Sequence, residues 1–190
     1  KEITVGSDTL LEASGATGGG NVYVGWGFQG RDTTVTNADR VVIDDGEMLR
    51  SDALSSGHGG NVIVWSDKET IFNGDLSAHG ISKGGFAEIS GKESLSVSGD
   101  IDLLAENGPA GTLLLDPTNV TISAVGAGAI GGSTISNVWL SQQLDAGNNI
   151  VVSTNIGGAQ AGNITVGRTA SNANAQADRL LWYQDSAAIT

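Results

Sequence analysis

Three sets of side chains in this 190-residue sequence have the types that catalysis or metal binding requires. The first is acidic. Glu47, Asp75 and Asp100 each follow a glycine, in Gly46-Glu47-Met48, Gly74-Asp75-Leu76 and Gly99-Asp100-Ile101. If those turns stack, Asp75 and Asp100 share one register and Glu47 joins them from the preceding coil. Paired carboxylates at the right separation hydrolyse glycosides. Corner polarity accounts for the same residues, and Lys and Arg number 9 against 21 Asp and Glu, so basic partners are scarce. The second set is His58 and His79. Without cysteine, a zinc site needs both histidines plus carboxylates, and solvent-exposed turns explain them better. A serine nucleophile beside them would want a Gly-x-Ser-x-Gly elbow, which is absent. The third set, Asp44-Asp45, Asp75 and Asp100/Asp102, has the oxygen donors calcium prefers. No EF-hand loop or Gly-Gly-x-Gly-x-Asp repeat accompanies it. The sequence is therefore read as non-enzymatic, with no catalytic residue, cofactor or metal.

Binding chemistry is left to aromatic side chains and asparagines. Tyr23, Trp26 and Trp65 fall where outward-facing rings would stack on sugars, so they are the candidate glycan contacts. Asn119-Val120-Thr121 and Asn163-Ile164-Thr165 are sequons, making Asn119 and Asn163 the candidate glycosylation sites.

The composition limits what scaffold carries these groups. There are 29 Gly, 2 Pro and 5% aromatic residues. Short strands joined by frequent corners use Val, Ile, Ala and Gly in this way. A net charge of −12 repels nucleic-acid phosphates and anionic bilayers, which excludes both as partners. No apolar run approaches the ~20 residues of a membrane span. The absence of cysteine suits export through an outer membrane in an unfolded state, since a periplasmic disulfide would block passage. Residues 1–106 hold 17 of the 21 acids, which places a sub-boundary near 107–110.

The dominant pattern is a repeat. One or two Gly, then a short alternating strand, recur at Gly19-Gly20-Asn21-Val22-Tyr23-Val24, Gly59-Gly60-Asn61-Val62-Ile63-Val64 and Gly84-Gly85-Phe86-Ala87-Glu88-Ile89. Further copies are Gly111-Thr112-Leu113-Leu114-Leu115 and Gly162-Asn163-Ile164-Thr165-Val166. The first four copies are 40, 25 and 26 residues apart, and the Gly-acid anchors 28 and 25. Two punctuation points at a steady offset describe one coil of a β-solenoid. Alternation puts Val22/Val24, Val62/Val64, Ala87/Ile89, Leu113/Leu115 and Ile164/Val166 inside. Tyr23, Ile63, Glu88, Leu114 and Thr165 then face out. A slip of one residue would bury Glu88 in the core, so the register is determined. Asn21, Asn61 and Asn163 share one site and are expected to form a side-chain ladder. Ser136–Leu144 has helical spacing, with Ser136 or Asn137 as cap and Gly147 as terminator. Strand resumes at Asn149–Ser153, Thr169–Asp178 reads as a loop, and Leu180–Tyr183 reads as a last strand. At ~25 residues per coil, 190 residues give about seven coils. The expected fold is all-β: one right-handed parallel β-helix over 1–190 with a short helix, excerpted from a longer repeat protein.

Several of these stretches resemble filamentous-haemagglutinin-like exoproteins of two-partner secretion. They are Gly59–Asp67, Gly84–Lys92, Leu144–Ser153 and, most specifically, Gly111-Thr112-Leu113-Leu114-Leu115-Asp116-Pro117-Thr118-Asn119-Val120-Thr121-Ile122. The resemblance runs from about Gly18 to Gly167, and high-molecular-weight and enterobacterial exoprotein adhesins look closest. It implies a large adhesin of a Gram-negative bacterium, exported through an outer-membrane transporter to the cell surface or medium. Host-cell receptors or glycans would be its partners in attachment, aggregation or biofilm, and the chain would act as a monomer. The family's amino-terminal secretion domain is not evident, so this piece would lie in the shaft. A carbohydrate-active β-helix enzyme and the passive shaft of a contact-dependent toxin-delivery protein are the alternatives.

Overall fold

The computed structural model describes residues 1–6, 8–31, 34–123, 132–154 and 162–166. The described chain is mostly β, with short strands in order: β1 Glu2–Val5, β2 Leu10–Glu12, β3 Asn21–Val24, β4 Arg40–Ile43, β5 Met48–Arg50 and β6 Asn61–Ser66. Then follow β7 Glu69–Phe72, β8 Asp75–Ser77, β9 Phe86–Gly91, β10 Ser94–Val97, β11 Ile101–Asp102 and β12 Thr112–Leu115. After β13 Val120–Ser123 and β14 Ser133–Ser136 comes one helix, α1 Asn137–Asp145, and then β15 Asn149–Val152 and β16 Ile164–Val166.

The strands form parallel sheets that the chain visits in rotation. The first sheet is β1-β4-β7-β10, the second β2-β5-β8-β11, and the third β3-β6-β9-β12-β15. Each of the first four passes adds one strand to each sheet. In the third sheet Val22, Val62, Ala87, Leu113 and Ile150 are paired in one column. Val24, Val64, Ile89, Leu115 and Val152 form the next inward set, and all five are buried. In the second sheet the column is Leu11, Leu49, Leu76 and Ile101. Ile43, Phe72 and Val97 close the core from the first. Like residues stack because the sheet repeats at one strand spacing while side chains alternate with period two. Asn61 Nδ2 donates to Asn21 Oδ1 at 2.8 Å, so the expected ladder begins as read.

The fold ends differently from the expectation. β16 joins β13 in a separate sheet of order β14-β13-β16, not the third sheet. Ile164 is opposite Val120, Val166 is 57% exposed, and Ile150 and Val152 take the places expected of Ile164 and Val166. Asn163 accordingly lies outside the Asn21–Asn61 ladder. The passes are also unequal. Fifteen residues, 25–39, separate β3 from β4, whereas two separate β6 from β7. The longest sheet of the described residues therefore has five strands rather than seven. At 107–110 the ladder runs through, with Asn107 N donating to Ile81 O at 2.8 Å and Gly84 N to Pro109 O at 2.9 Å. Thr169–Asp178, expected as a loop, and Leu180–Tyr183, expected as a last strand, lie outside the described residues.

α1 forms where its cap predicted: Trp139 N donates to Ser136 Oγ at 3.4 Å, and Gly147 adopts φ 102° just beyond. It covers the last strand of the second sheet. Gln143 Oε1 accepts from Ile101 N at 3.2 Å, Asn148 Oδ1 from Leu103 N at 3.0 Å, and Asn148 Nδ2 donates to Ile101 O at 2.7 Å. Two side-chain amides thus supply the hydrogen bonds that another strand would have supplied. A buried edge left unpaired would lose about 1–3 kcal/mol per group.

Candidate functional site

The outer face of the third sheet gathers the chemistry. Its outward column is Tyr23, Ile63, Glu88, Leu114 and Val151. Beside it Trp65 is paired with Ser90, and Asp116 N donates to Ser90 Oγ at 3.2 Å. An open outer face would leave these residues in water. Instead Ile63, Trp65, Glu88, Leu114 and Asp116 are all buried, and the chain after β3 folds back onto Trp65, Glu88 and Asp116. Gly25 makes the exit. It has φ 82°, and a Cβ there would lie 1.9 Å from Trp65 O. Gly30, at φ 58°, lets the backbone settle onto the Trp65 indole, 2.3 Å from where its Cβ would stand to Nε1. No other residue type fits either position.

Gln29 is the clasp. It sits in the left-handed region at φ 52°. Its backbone N–H donates to Glu88 Oε2 at 3.0 Å and its side-chain Nε2 to Asp116 Oδ2 at 3.0 Å. One residue thus bridges two buried carboxylates. Phe28 packs on Phe86 with ring centroids 5.8 Å apart. Asn37 Nδ2 donates to Gly30 O at 3.1 Å and to Asp67 Oδ1 at 2.9 Å, closing the far side. Glu88 Oε1 and Trp26 Nε1 are buried without a hydrogen-bond partner. Burial pushes the Glu88 carboxyl up to about 7; the Gln29 N–H and Ser90 hydroxyl oppose the rise, the Asp116 charge adds to it, and Arg31 opposes it weakly.

The sequence-predicted residues are distributed otherwise. Of the candidate glycan contacts, Trp65 is 1% exposed under the covering segment and offers no ring to a ligand. Trp26 is partly buried within that segment, while Tyr23 stands 49% exposed at the sheet's rim. Of the expected acid column, Asp75 and Asp100 stand in register on adjacent turns, but Glu47 does not join them. Register places Met48, not Glu47, opposite Asp75. Glu47 turns inward, 2% exposed, where its carboxylate accepts the backbone N–H groups of Asp8, at 3.0 Å, and Thr9. Asp75 Oδ1 accepts from Asp100 N at 3.0 Å, so this acid ties one turn to the next.

The histidines engage different neighbours. His58 is exposed and bridges to Lys83 through the backbone, whereas His79 Nδ1 lies 3.1 Å from Asp102 Oδ2. Ser77 Oγ donates to Asp52 Oδ1 at 2.6 Å, so His79 does not take its proton. Among the described residues no group of three or more His, Cys, Asp or Glu is placed to hold a metal ion. Both sequon asparagines are exposed and stand in adjacent layers, with Asn163 N donating to Asn119 Oδ1 at 3.0 Å. Among the described residues no helix is long and apolar enough to cross a membrane.

Sequence reasoning missed the Glu88–Gln29–Asp116 clasp. Its signals were the 40-residue gap between the first two cassettes, against 25 and 26 for the next two, and a lone acid between Ile63 and Leu114 in the outward column. No family model and no curated protein matches the chain.

Proposed function

We propose that this chain is a stretch of right-handed parallel β-helix from a large bacterial surface adhesin, acting as a non-enzymatic structural and adhesive segment. The observation that carries it is the rotation through three parallel sheets, each gaining one strand in each of four passes with like residues in register. A chain that does this winds around one core, and parallel crossovers close in the right-handed sense almost without exception. The resemblance to two-partner-secretion exoproteins supports the rest of the reading. Export through an outer-membrane transporter, display at the cell surface and contact with a host receptor or glycan follow from it. The motif residues that carry the resemblance, Gly59–Val64, Gly84–Ile89 and Gly111–Leu115, lie on three successive strands of the third sheet.

A spacer role within the adhesin gains weight from one feature: Trp65, one of the three candidate glycan contacts, lies under the chain's own covering segment. The test is binding of the purified fragment to a glycan array and to host cells. Saturable binding lost in Tyr23→Ala would locate an adhesive surface at the exposed rim of the third sheet. No binding by folded fragment would assign it the shaft. Release of reducing ends from polysaccharide would overturn the non-enzymatic reading.

A further inference from the structure

We propose that the Gly25–Arg31 segment is a pH-gated cover on the outer face of the third sheet, closed while Glu88 carries a proton and released when Glu88 ionises. The geometry is that of a strap pinned to the sheet through Gln29 and the Phe28–Phe86 contact. The segment leaves the sheet at a left-handed glycine and returns through Gln29 and Gly30, also left-handed, at φ 52° and 58°. Such backbone persists only where surrounding contacts hold it. Its polar hold on the sheet is Gln29, whose two N–H donors reach Glu88 and Asp116. Gly30 lies against the Trp65 indole beneath it, and Ile63 and Leu114 are buried on the same face.

The charges around Glu88 decide the sign. On its own strand Ser90 supplies a hydroxyl. The flanking ladder partners, Ile63 on β6 and Leu114 on β12, carry no charge. Asp116 beyond β12 contributes a second carboxylate, and from the strap only the exposed Arg31 is cationic. Asp67, at the far side, is taken up by Asn37 and Trp65. Ionised Glu88 is therefore buried beside a like charge with Oε1 unpartnered. Neutral Glu88 escapes that penalty. Because the closed form binds the proton more tightly than an open, solvated one, closure is favoured at low pH and weakens as pH rises from about 4.5 to about 7.

The experiment is hydrogen exchange of residues 25–31 in the whole chain, by mass spectrometry from pH 5.5 to 8.5, corrected for intrinsic rates. The β6–β9 ladder serves as the internal reference. Protection of the strap is expected to fall roughly 30-fold across that range. Glu88→Gln, neutral at every pH, should remove the fall, and Asp116→Asn should shrink it. Constant protection in the natural chain overturns the proposal. So does Glu88→Gln with an unchanged profile. Should Glu88→Gln lose its circular dichroism spectrum, the natural chain's own profile and that of Asp116→Asn still decide.

Discussion

The two faces of the third sheet follow different rules. The inner face is a stack of aliphatic residues, Leu113 between Ala87 and Ile150, and its energetics are those of burial. The outer face holds Tyr23, Ile63, Glu88 and Leu114 in one column, where the first is exposed and the other three are buried. Tyr23 is half in water, while Glu88 one layer on from Ile63 is fully dry. The inner face is dictated by the repeat. The outer face is dictated by a single insertion that happens to lie over it. Repetition therefore explains the core of such a molecule, and departures from repetition explain its surface.

Substitutions can sharpen that contrast. The largest effect should come from the inner face: Leu113→Ala removes a wholly buried side chain and should lower stability by about 2–5 kcal/mol in a denaturant titration. A smaller loss would mean the stacked core collapses around a cavity more readily than a packed interior should. Next comes the outer face. Glu88→Gln relieves a buried charge, so at pH 8.5 it should stabilise by about 2–3 kcal/mol, and by less than about 2 kcal/mol at pH 5.5. The sign follows from the raised folded-state value: the natural chain loses stability relative to the variant as pH climbs through about 7. Equal effects at both pH values would erase the distinction between the faces. The smallest effect belongs to the rim: Asn61→Ala breaks the exposed bond to Asn21 and should cost about 0.5 kcal/mol.

Much of this was legible without coordinates. Alternation read Val22/Val24, Val62/Val64, Ala87/Ile89 and Leu113/Leu115 as inward, because the period-two rule is local. The helix from Asn137 was legible for the same reason, since Ser136 caps it through a bond three residues long. The Glu47 column failed because Gly46-Glu47-Met48 and Gly74-Asp75-Leu76 look alike yet pair one residue out of step. Spacings of 28 and 25 hinted at that slip, but only the ladder shows which strand absorbs it. Ile164/Val166 failed because nothing in a five-residue cassette says which sheet will accept it.

By itself, the sequence determined that this chain builds parallel strands around an aliphatic core punctuated by glycine corners. Side-chain alternation and turn chemistry act over a few residues and need no partner to be read. The tertiary structure alone decided that Glu88 and Asp116 are buried, that Gln29 joins them and that Trp65 is hidden. Burial depends on what lies above a residue in space. Here that cover arrives from 59 residues earlier in the chain, as the bond from Gln29 to Glu88 records.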